Sequence, residues 1–267
     1  MASILVFALI ALMVIEASRG TIVAASAEAD RARVQAAADA GVSIALRDLV
    51  NSGPGGAVPI DGRVRRLNFD GATLAIAIQD ERGKIPLNAL EDQQARRMFA
   101  ELGLSGEPLD IATDSFLDWL DEDEEARTNG AERTFYAPLR IHPRDGALRS
   151  VAEVALIRGV GKALADRLES VATVHYGVGS FEPAHASLMA IRVIEGEEGG
   201  AIDLLNRQRE LAGQRTALEI TQKGALIGRP LTIEVEARLG QTTRTRLRQI
   251  VILTGRAASP YALKERY

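Results

Sequence analysis

The chain has 267 residues, of which 46% are hydrophobic and 25% charged, enough for one large or two modest folded domains. Its net charge of −4 excludes the global basic field that draws proteins to nucleic acid. It contains no cysteine, which excludes disulfides, thiol catalysis and cysteine-ligated zinc. Only 4% of the residues are aromatic, so Ala, Leu, Ile and Val must build the core.

The chain begins with an uncharged apolar run from Ala2 to Ile15. A complete membrane span needs about 20 apolar residues, so this run is short. Three interpretations are open: a secretory signal peptide cleaved after residues 25–27, a buried core helix, and a transmembrane helix whose first residues lie upstream of Met1. The transmembrane helix is favoured, because no basic residue precedes the run and the helical pattern continues after it.

Small and apolar residues recur at spacings of three and four from Thr21 to about Asn51, which is typical of a helix. The Gly- and Pro-rich residues 52–56 end it. The pattern therefore predicts one helix of roughly 50 residues, about 75 Å long, with half in lipid and half outside. Two helices joined near Gly20 are the alternative.

The remainder of the chain passes from strands to helices and back to strands. Strands are predicted at 63–69 and 72–79, joined by the turn Asp70-Gly71, and again at 231–239 and 244–254. Between them, helices are predicted at 91–102, 111–121, 150–157, 162–171, 187–194 and 201–211. This order predicts an α+β fold with an N-terminal helix at 1–52, an antiparallel sheet from 53–90 and 213–267, and an α-helical insertion domain at 91–212.

No catalytic site is predicted. The histidines, His142, His175 and His185, lack the spacing of metal ligands. Walker, dinucleotide-binding and Gly-x-Ser-x-Gly motifs are absent from the sequence.

A glycine hairpin around Gly159 and Gly161 resembles the helix-hairpin-helix motif of DNA-binding proteins. In that motif backbone N–H groups approach a phosphate, and here Arg158, Lys162 and Arg167 would add positive charge. The alternative is a packing module in which the glycines permit helices to approach closely. Packing is favoured, because the net charge is acidic and the segment follows a predicted membrane anchor.

Several motifs occur in a fixed order along the chain: Ala40-Gly41 in the second half of the N-terminal helix, the DERGKIPLN stretch 80–88, the DWLDED stretch 118–123, Gly130-Ala131-Glu132 with Tyr136, and the LRSVAEV stretch 148–154 before Gly159. With the apolar N-terminal helix, this series resembles the K-type minor pseudopilins of type II secretion. One departure is the stretch 181–186, where the family has an Asn-rich extended motif, so the end of the insertion is expected to differ.

The resemblance implies a long N-terminal helix and a pilin-like antiparallel sheet, with the large insertion at the tip of the periplasmic pseudopilus. It implies a single-pass inner-membrane protein whose bulk lies in the periplasm and which supports export across the outer membrane without being an enzyme. The implied partners are other minor pseudopilins in a tip complex and the inner-membrane secretion platform. Nucleic acid is not expected among them.

Six of the eight residues from Asp118 to Glu125 are acidic. On a continuous helix, Asp114, Asp118, Asp121 and Glu125 would share one face, and a divalent cation would relieve their repulsion. A solvated acidic surface is the alternative.

In a loop, the same segment follows the spacing of an EF-hand, with Asp121, Asp123 and Glu125 at the first, third and fifth positions. Glu132 then falls at the twelfth position, where a bidentate carboxylate belongs, but Ala126 replaces the usual glycine at the sixth. Calcium rather than zinc is expected, because the ligands are hard oxygens and because the resemblance implies calcium binding. The predicted metal ligands are Asp118, Asp121, Asp123, Glu125 and Glu132, and no other cofactor is expected.

Overall fold

The computed structural model describes the backbone of residues 2–51, 58–60, 62–176, 181–196 and 226–266, and their side chains from Ala24 onward except at position 184. Its helices are α1 (Ala2–Asn51), α2 (Asp92–Glu101), α3 (Glu107–Leu120), α4 (Arg133–Tyr136), α5 (Gly161–Leu168) and α6 (Leu188–Glu195). Its strands are β1 (Arg65–Phe69), β2 (Ala72–Asp80), β3 (Ile85–Pro86), β4 (Ala172–Thr173), β5 (Pro230–Leu239), β6 (Thr243–Arg256) and β7 (Ser259–Arg266). The predicted α+β class is confirmed.

Helix α1 is continuous, and its second half packs across an antiparallel sheet of order β1-β2-β5-β6-β7. Residues of β2 alternate between buried and partly exposed, so one face of the sheet lies under the helix. Gly41 permits the close approach, since a Cβ there would lie 2.7 Å from Cγ1 of Val235 on β5. The core between helix and sheet is built from aliphatic side chains, including Val34, Leu49 and Ile76.

The insertion connects two strands that are neighbours in the sheet. Asp80, the last residue of β2, lies opposite Leu231 near the start of β5. The chain between them forms a separate core, in which Phe99 of α2 meets Phe116 of α3 edge to face, with ring centroids 5.6 Å apart. The short parallel pair β3–β4 ties the start of the insertion to its middle.

The insertion and the free end of α1 lie at opposite ends of the sheet. The hydroxyl of Thr245, near the turn between β5 and β6, donates a hydrogen bond to the side-chain oxygen of Gln35 on α1. Val50, at the other end of the described helix, lies beside Tyr261, close to the end of the sheet at which Leu231 begins β5. Residues 24–33, all exposed except the partly buried Asp30, therefore extend from the end of the sheet that is remote from the insertion.

Most predicted elements lie within a few residues of the observed ones. The predicted helix 150–157 is instead a 3-10 helix (Val151–Leu156), and β7 was not predicted. The predicted helix 201–211, the turn at 52–56 and the boundary at 212 lie outside the described residues. The predicted apolar span 2–15 belongs to the part of α1 whose side chains are not described. Among the side chains that are described, no helix is long and apolar enough to cross a membrane.

Candidate functional site

Helix α3 ends at Leu120, within the acidic segment that runs from Asp118 to Glu125. Asp121 takes an extended backbone conformation and serves as the C-cap, with its N–H donating to the carbonyl of Leu117. The arrangement of Asp114, Asp118, Asp121 and Glu125 along one helical face is therefore wrong. Continuing the helix would have stacked like charges at spacings of three and four, which destabilises a helix.

The loop that follows brings together three of the predicted metal ligands, Asp121, Asp123 and Glu132. One carboxylate oxygen from each lies within 4.8 Å of the others. Both oxygens of Glu132 are buried and, within the described residues, have no hydrogen-bond partner, and the same is true of Oδ1 of Asp121. Buried carboxylate oxygens normally have hydrogen-bond partners, so unpaired ones leave room for another ligand. Three carboxylates that converge in this way offer the oxygen ligands that a divalent cation such as calcium binds.

The electrostatics agree with the geometry. Burial, as the largest cause, and the nearby carboxylates of Asp118, Asp121, Asp145 and Asp123 together raise the pKa of Glu132 to about 7. Burial also raises the pKa of Asp121, as do the nearby charges of Asp123 and Asp118. A divalent cation would remove this penalty, because it favours the ionised form of each carboxylate.

Asp118 has another role in the loop. It is fully buried, and its carboxylate accepts the backbone N–H of Arg127 at 3.2 Å. Asp114 accepts the backbone and side-chain N–H groups of Asn129, each at 3.0 Å. The two carboxylates thus fix the path of the loop. Asp118, which was predicted as a metal ligand, is bonded to the backbone of this loop instead.

The predicted ligand Glu125 is exposed and is not a member of the three-carboxylate group. Sequence reasoning missed Asp145, whose Oδ1 is buried without a partner among the described residues, while Oδ2 accepts from Arg133 at 2.9 Å. Asp145 lies beyond the acidic segment, in a turn with φ of +50°. The only sequence signal for it was the dipeptide Asp145-Gly146, which is typical of a turn.

The glycine hairpin closes the other side of the loop. The Arg158 guanidinium donates to the carbonyl of Gly130 at 2.8 Å and lies 4.8 Å from the ring centroid of Phe135. The backbone N–H of Arg158 donates to the hydroxyl of Tyr136 at 3.0 Å. Arg158 therefore supports the acidic loop from within the insertion.

The hairpin fits the packing interpretation. Gly159 has φ of +81°, and a Cβ there would lie 3.0 Å from Ile111 and 3.1 Å from the backbone of Ala112. Lys162 pairs with Asp166 at 2.7 Å, and Arg167 donates to a backbone carbonyl at 2.6 Å. The basic side chains that suggested phosphate binding thus have partners within the chain.

The DERGKIPLN stretch forms the joint between sheet and insertion. Lys84 and Glu81 make an ion pair at 2.5 Å with both side chains almost completely buried, and Thr232 of β5 donates to the same carboxylate. Burial lowers the pKa of Lys84. Asn88 exchanges two hydrogen bonds with the backbone of Leu148, at 2.8 and 2.9 Å, and so connects two of the motifs on which the family resemblance rests.

Comparison with known proteins bears directly on this architecture. Residues 66–176, which include the joint, the acidic loop and the hairpin, match the family model described as type II secretion system (T2SS), protein K. This part of the chain is therefore similar to protein K of type II secretion systems. A curated relative from Dickeya chrysanthemi, type II secretion system protein K, is 36% identical over 76 residues, which cover 28% of this chain. The matched part spans about a fifth of the relative's length, 21%.

A solved structure extends the likeness in fold to nearly the whole chain. It is a chain of the GspK-GspI-GspJ complex from the type 2 secretion system of enterotoxigenic Escherichia coli. The two folds superpose with a TM-score of 0.66 over 90% of this chain and 97% of the other, at 13% sequence identity. The helix, the sheet and the insertion therefore recur together in the fold of that chain.

Proposed function

We propose that the chain is a minor pseudopilin that caps the tip of the periplasmic pseudopilus of a type II secretion system. The observation that carries the proposal is that α1 extends from one end of the sheet and the insertion is attached at the other. The helix can then join a bundle of neighbouring helices, while the insertion is too bulky to lie between subunits stacked along the fibre. The solved relative, which has the same fold, was crystallised with two further chains of its own system.

The exposed part of α1 suits such a bundle. Five of its ten residues from Ala24 to Arg33 are alanine, and small side chains permit helices to pack closely. We infer that this part contacts other minor pseudopilins and that the preceding apolar run anchors the protein in the inner membrane. The insertion and sheet would then lie in the periplasm, and the protein would act as a structural subunit.

Assembly can be tested with the full chain co-expressed with the other minor pseudopilins of its host and purified in detergent. A stoichiometric complex is expected, and Ala25→Glu with Ala32→Glu on α1 should disrupt it. Ala257→Glu, the same change in the exposed turn between β6 and β7, should leave it intact. Failure of the unaltered chain to bind any of the others would overturn the capping role.

We further propose that the acidic loop binds calcium through Asp121, Asp123 and Glu132. The unsatisfied buried oxygens of Glu132 and Asp121 support this assignment, and the all-oxygen donor set favours calcium over zinc. Asp145 lies close enough to raise the pKa of both carboxylic acids and is a further candidate ligand. The ion would further stabilise the loop, whose backbone is already hydrogen-bonded to the side chains of Asp118 and Arg158.

A further inference from the structure

The face of the sheet that α1 does not cover carries a group of arginines. The strand register places Arg66 beside Ala75 on β2, Ala75 beside Glu236 on β5, and Glu236 beside Arg246 on β6. The next row places Arg238 of β5 directly opposite Arg244 of β6. All of these arginines are exposed. We call this surface the basic sheet face, defined by Arg66, Arg238, Arg244 and Arg246.

Part of the positive charge on this face is uncompensated. Arg238 donates to Glu236 at 2.7 Å, and Arg246 pairs with Glu234. Arg66 and Arg244 have no ion-pair partner among the residues whose side chains are described. The face therefore carries net positive charge on a chain whose overall charge is −4.

The pairing of Arg238 with Arg244 is unfavourable in isolation. Like charges directly opposite each other on neighbouring strands destabilise a sheet. An anionic group bound between the two guanidinium groups would form an ion pair with each of them and so offset their repulsion. Guanidinium forks are suited to that role, because they bind a carboxylate through two parallel hydrogen bonds.

The face also has a shape that fits a chain segment. The first three outward side chains of β2, those of Thr73, Ala75 and Ala77, are short, and they lie beside longer side chains on the neighbouring strands. The two flanking strands are about 10 Å apart, twice the spacing of neighbouring strands. The result is a shallow groove along β2, lined by Thr73, Ala75 and Ala77 at its base and by Arg66 and Arg238 at its sides.

We propose that the basic sheet face is a docking surface for an acidic segment of a partner protein. The carboxylates of that segment would contact Arg66 on one side of the groove and Arg238 with Arg244 on the other. A polypeptide is favoured over nucleic acid, because Glu234 and Glu236 share the face and would repel a continuous phosphate backbone. Spaced carboxylates can avoid these two glutamates. Docking at this face requires only the sheet and does not require assembly into a pseudopilus.

The test uses the full chain in a neutral detergent and a fluorescent peptide of about ten residues that alternates Glu and Ala. We expect saturable binding that weakens with salt, and no binding of the matched Gln-Ala peptide. Arg66→Gln with Arg244→Gln should lower the affinity roughly three- to tenfold, the range for two exposed charge pairs. Glu236→Gln should raise it.

The matched control is Arg31→Gln with Arg47→Gln, which removes the same charge from exposed positions on α1. Thermal melts of the two double arginine variants should show no loss of stability relative to the unaltered chain, since all four arginines are exposed. The proposal is overturned if the acidic peptide does not bind, or if the control variant loses as much affinity. It is also overturned if a single-stranded oligonucleotide or anionic vesicles bind more tightly than the peptide.

Discussion

The carboxylate of Asp118 occupies the space that any side chain at position 130 would need. A Cβ built on Gly130 would lie 1.8 Å from Oδ2 of Asp118, and Asp118 cannot retreat because it is fully buried and bonded to the backbone of the loop. The buried carboxylate of Asp118 therefore explains why the Gly130-Ala131-Glu132 motif has a glycine at its first position.

Gly130→Ala should destabilise the protein by about 1–3 kcal/mol, the usual range for overpacking a filled site. The matched control is Gly146→Ala, because a Cβ there would meet only a backbone oxygen at 4.0 Å. Urea unfolding of both variants measures the difference. Equal stability of the two would show that the loop moves freely away from Asp118.

Calcium should raise the melting temperature of the full chain, and a chelator should lower it. At a hundredfold excess over the dissociation constant, binding adds about 2.7 kcal/mol to the free energy of unfolding. Asp121→Asn or Glu132→Gln should abolish the difference between the two melts. Glu125→Gln should preserve it, since Glu125 lies outside the three-carboxylate group. Identical melts of the unaltered chain with calcium and chelator would contradict the site.

Without calcium, stability should fall as the pH rises from about 4.5 to about 7. The folded state holds the Glu132 proton up to a pKa of about 7, while the unfolded state releases it near 4.5. The folded state thus binds more protons across this interval, so each rise in pH favours unfolding. The raised pKa values of Asp118 and Asp121 act in the same direction.

Two comparisons check this pH dependence. Glu132→Gln should flatten the curve and stabilise the ion-free protein at pH 8, because no charge is then buried at that position. Saturating calcium should remove the fall between pH 4.5 and 7 in the unaltered chain, because the bound ion favours the ionised form of Glu132. Ion-free stability that rises steadily from pH 4.5 to 7 would contradict the assignment.

The buried pair of Lys84 and Glu81 should be sensitive to the loss of one partner. Glu81→Ala leaves an unpaired ammonium group in the joint and should cost about 3–5 kcal/mol, whereas removing both charges with Glu81→Leu and Lys84→Met should cost much less. Chemical denaturation of Glu81→Leu, Lys84→Met and the double variant gives the coupling energy. Additive losses would mean that the two side chains do not interact in the folded protein.

The sequence predicted the sheet well where the pattern was local. Asp70-Gly71 marked the first hairpin, and the apolar, strand-like run 72–79 marked β2, because both signals depend on a few adjacent residues. Strand β7 was missed, since Pro260 and charged residues interrupt the pattern of an edge strand that is largely exposed. Its position is determined by pairing with β6 and not by its own residues.

The acidic loop was harder to predict than the acidic segment. The spacing of Asp121, Asp123 and Glu132 pointed to one site because those residues lie close together in the chain. The different role of Asp118 could not be inferred, since it depends on the backbone of Arg127 folding back over the end of α3. Asp145 escaped notice because only the tertiary fold brings it beside the loop.

The direct pairing of Asp80 with Leu231 has a consequence for how such a protein can change. In topological terms, roughly 150 residues of insertion are one very long hairpin loop between two adjacent strands. Closing a loop costs only about 0.6 kcal/mol more for each doubling of its length. The stability of the sheet therefore depends only weakly on the length of the chain inserted there. Domains of other sizes can therefore be grafted at this hairpin while helix and sheet keep their register.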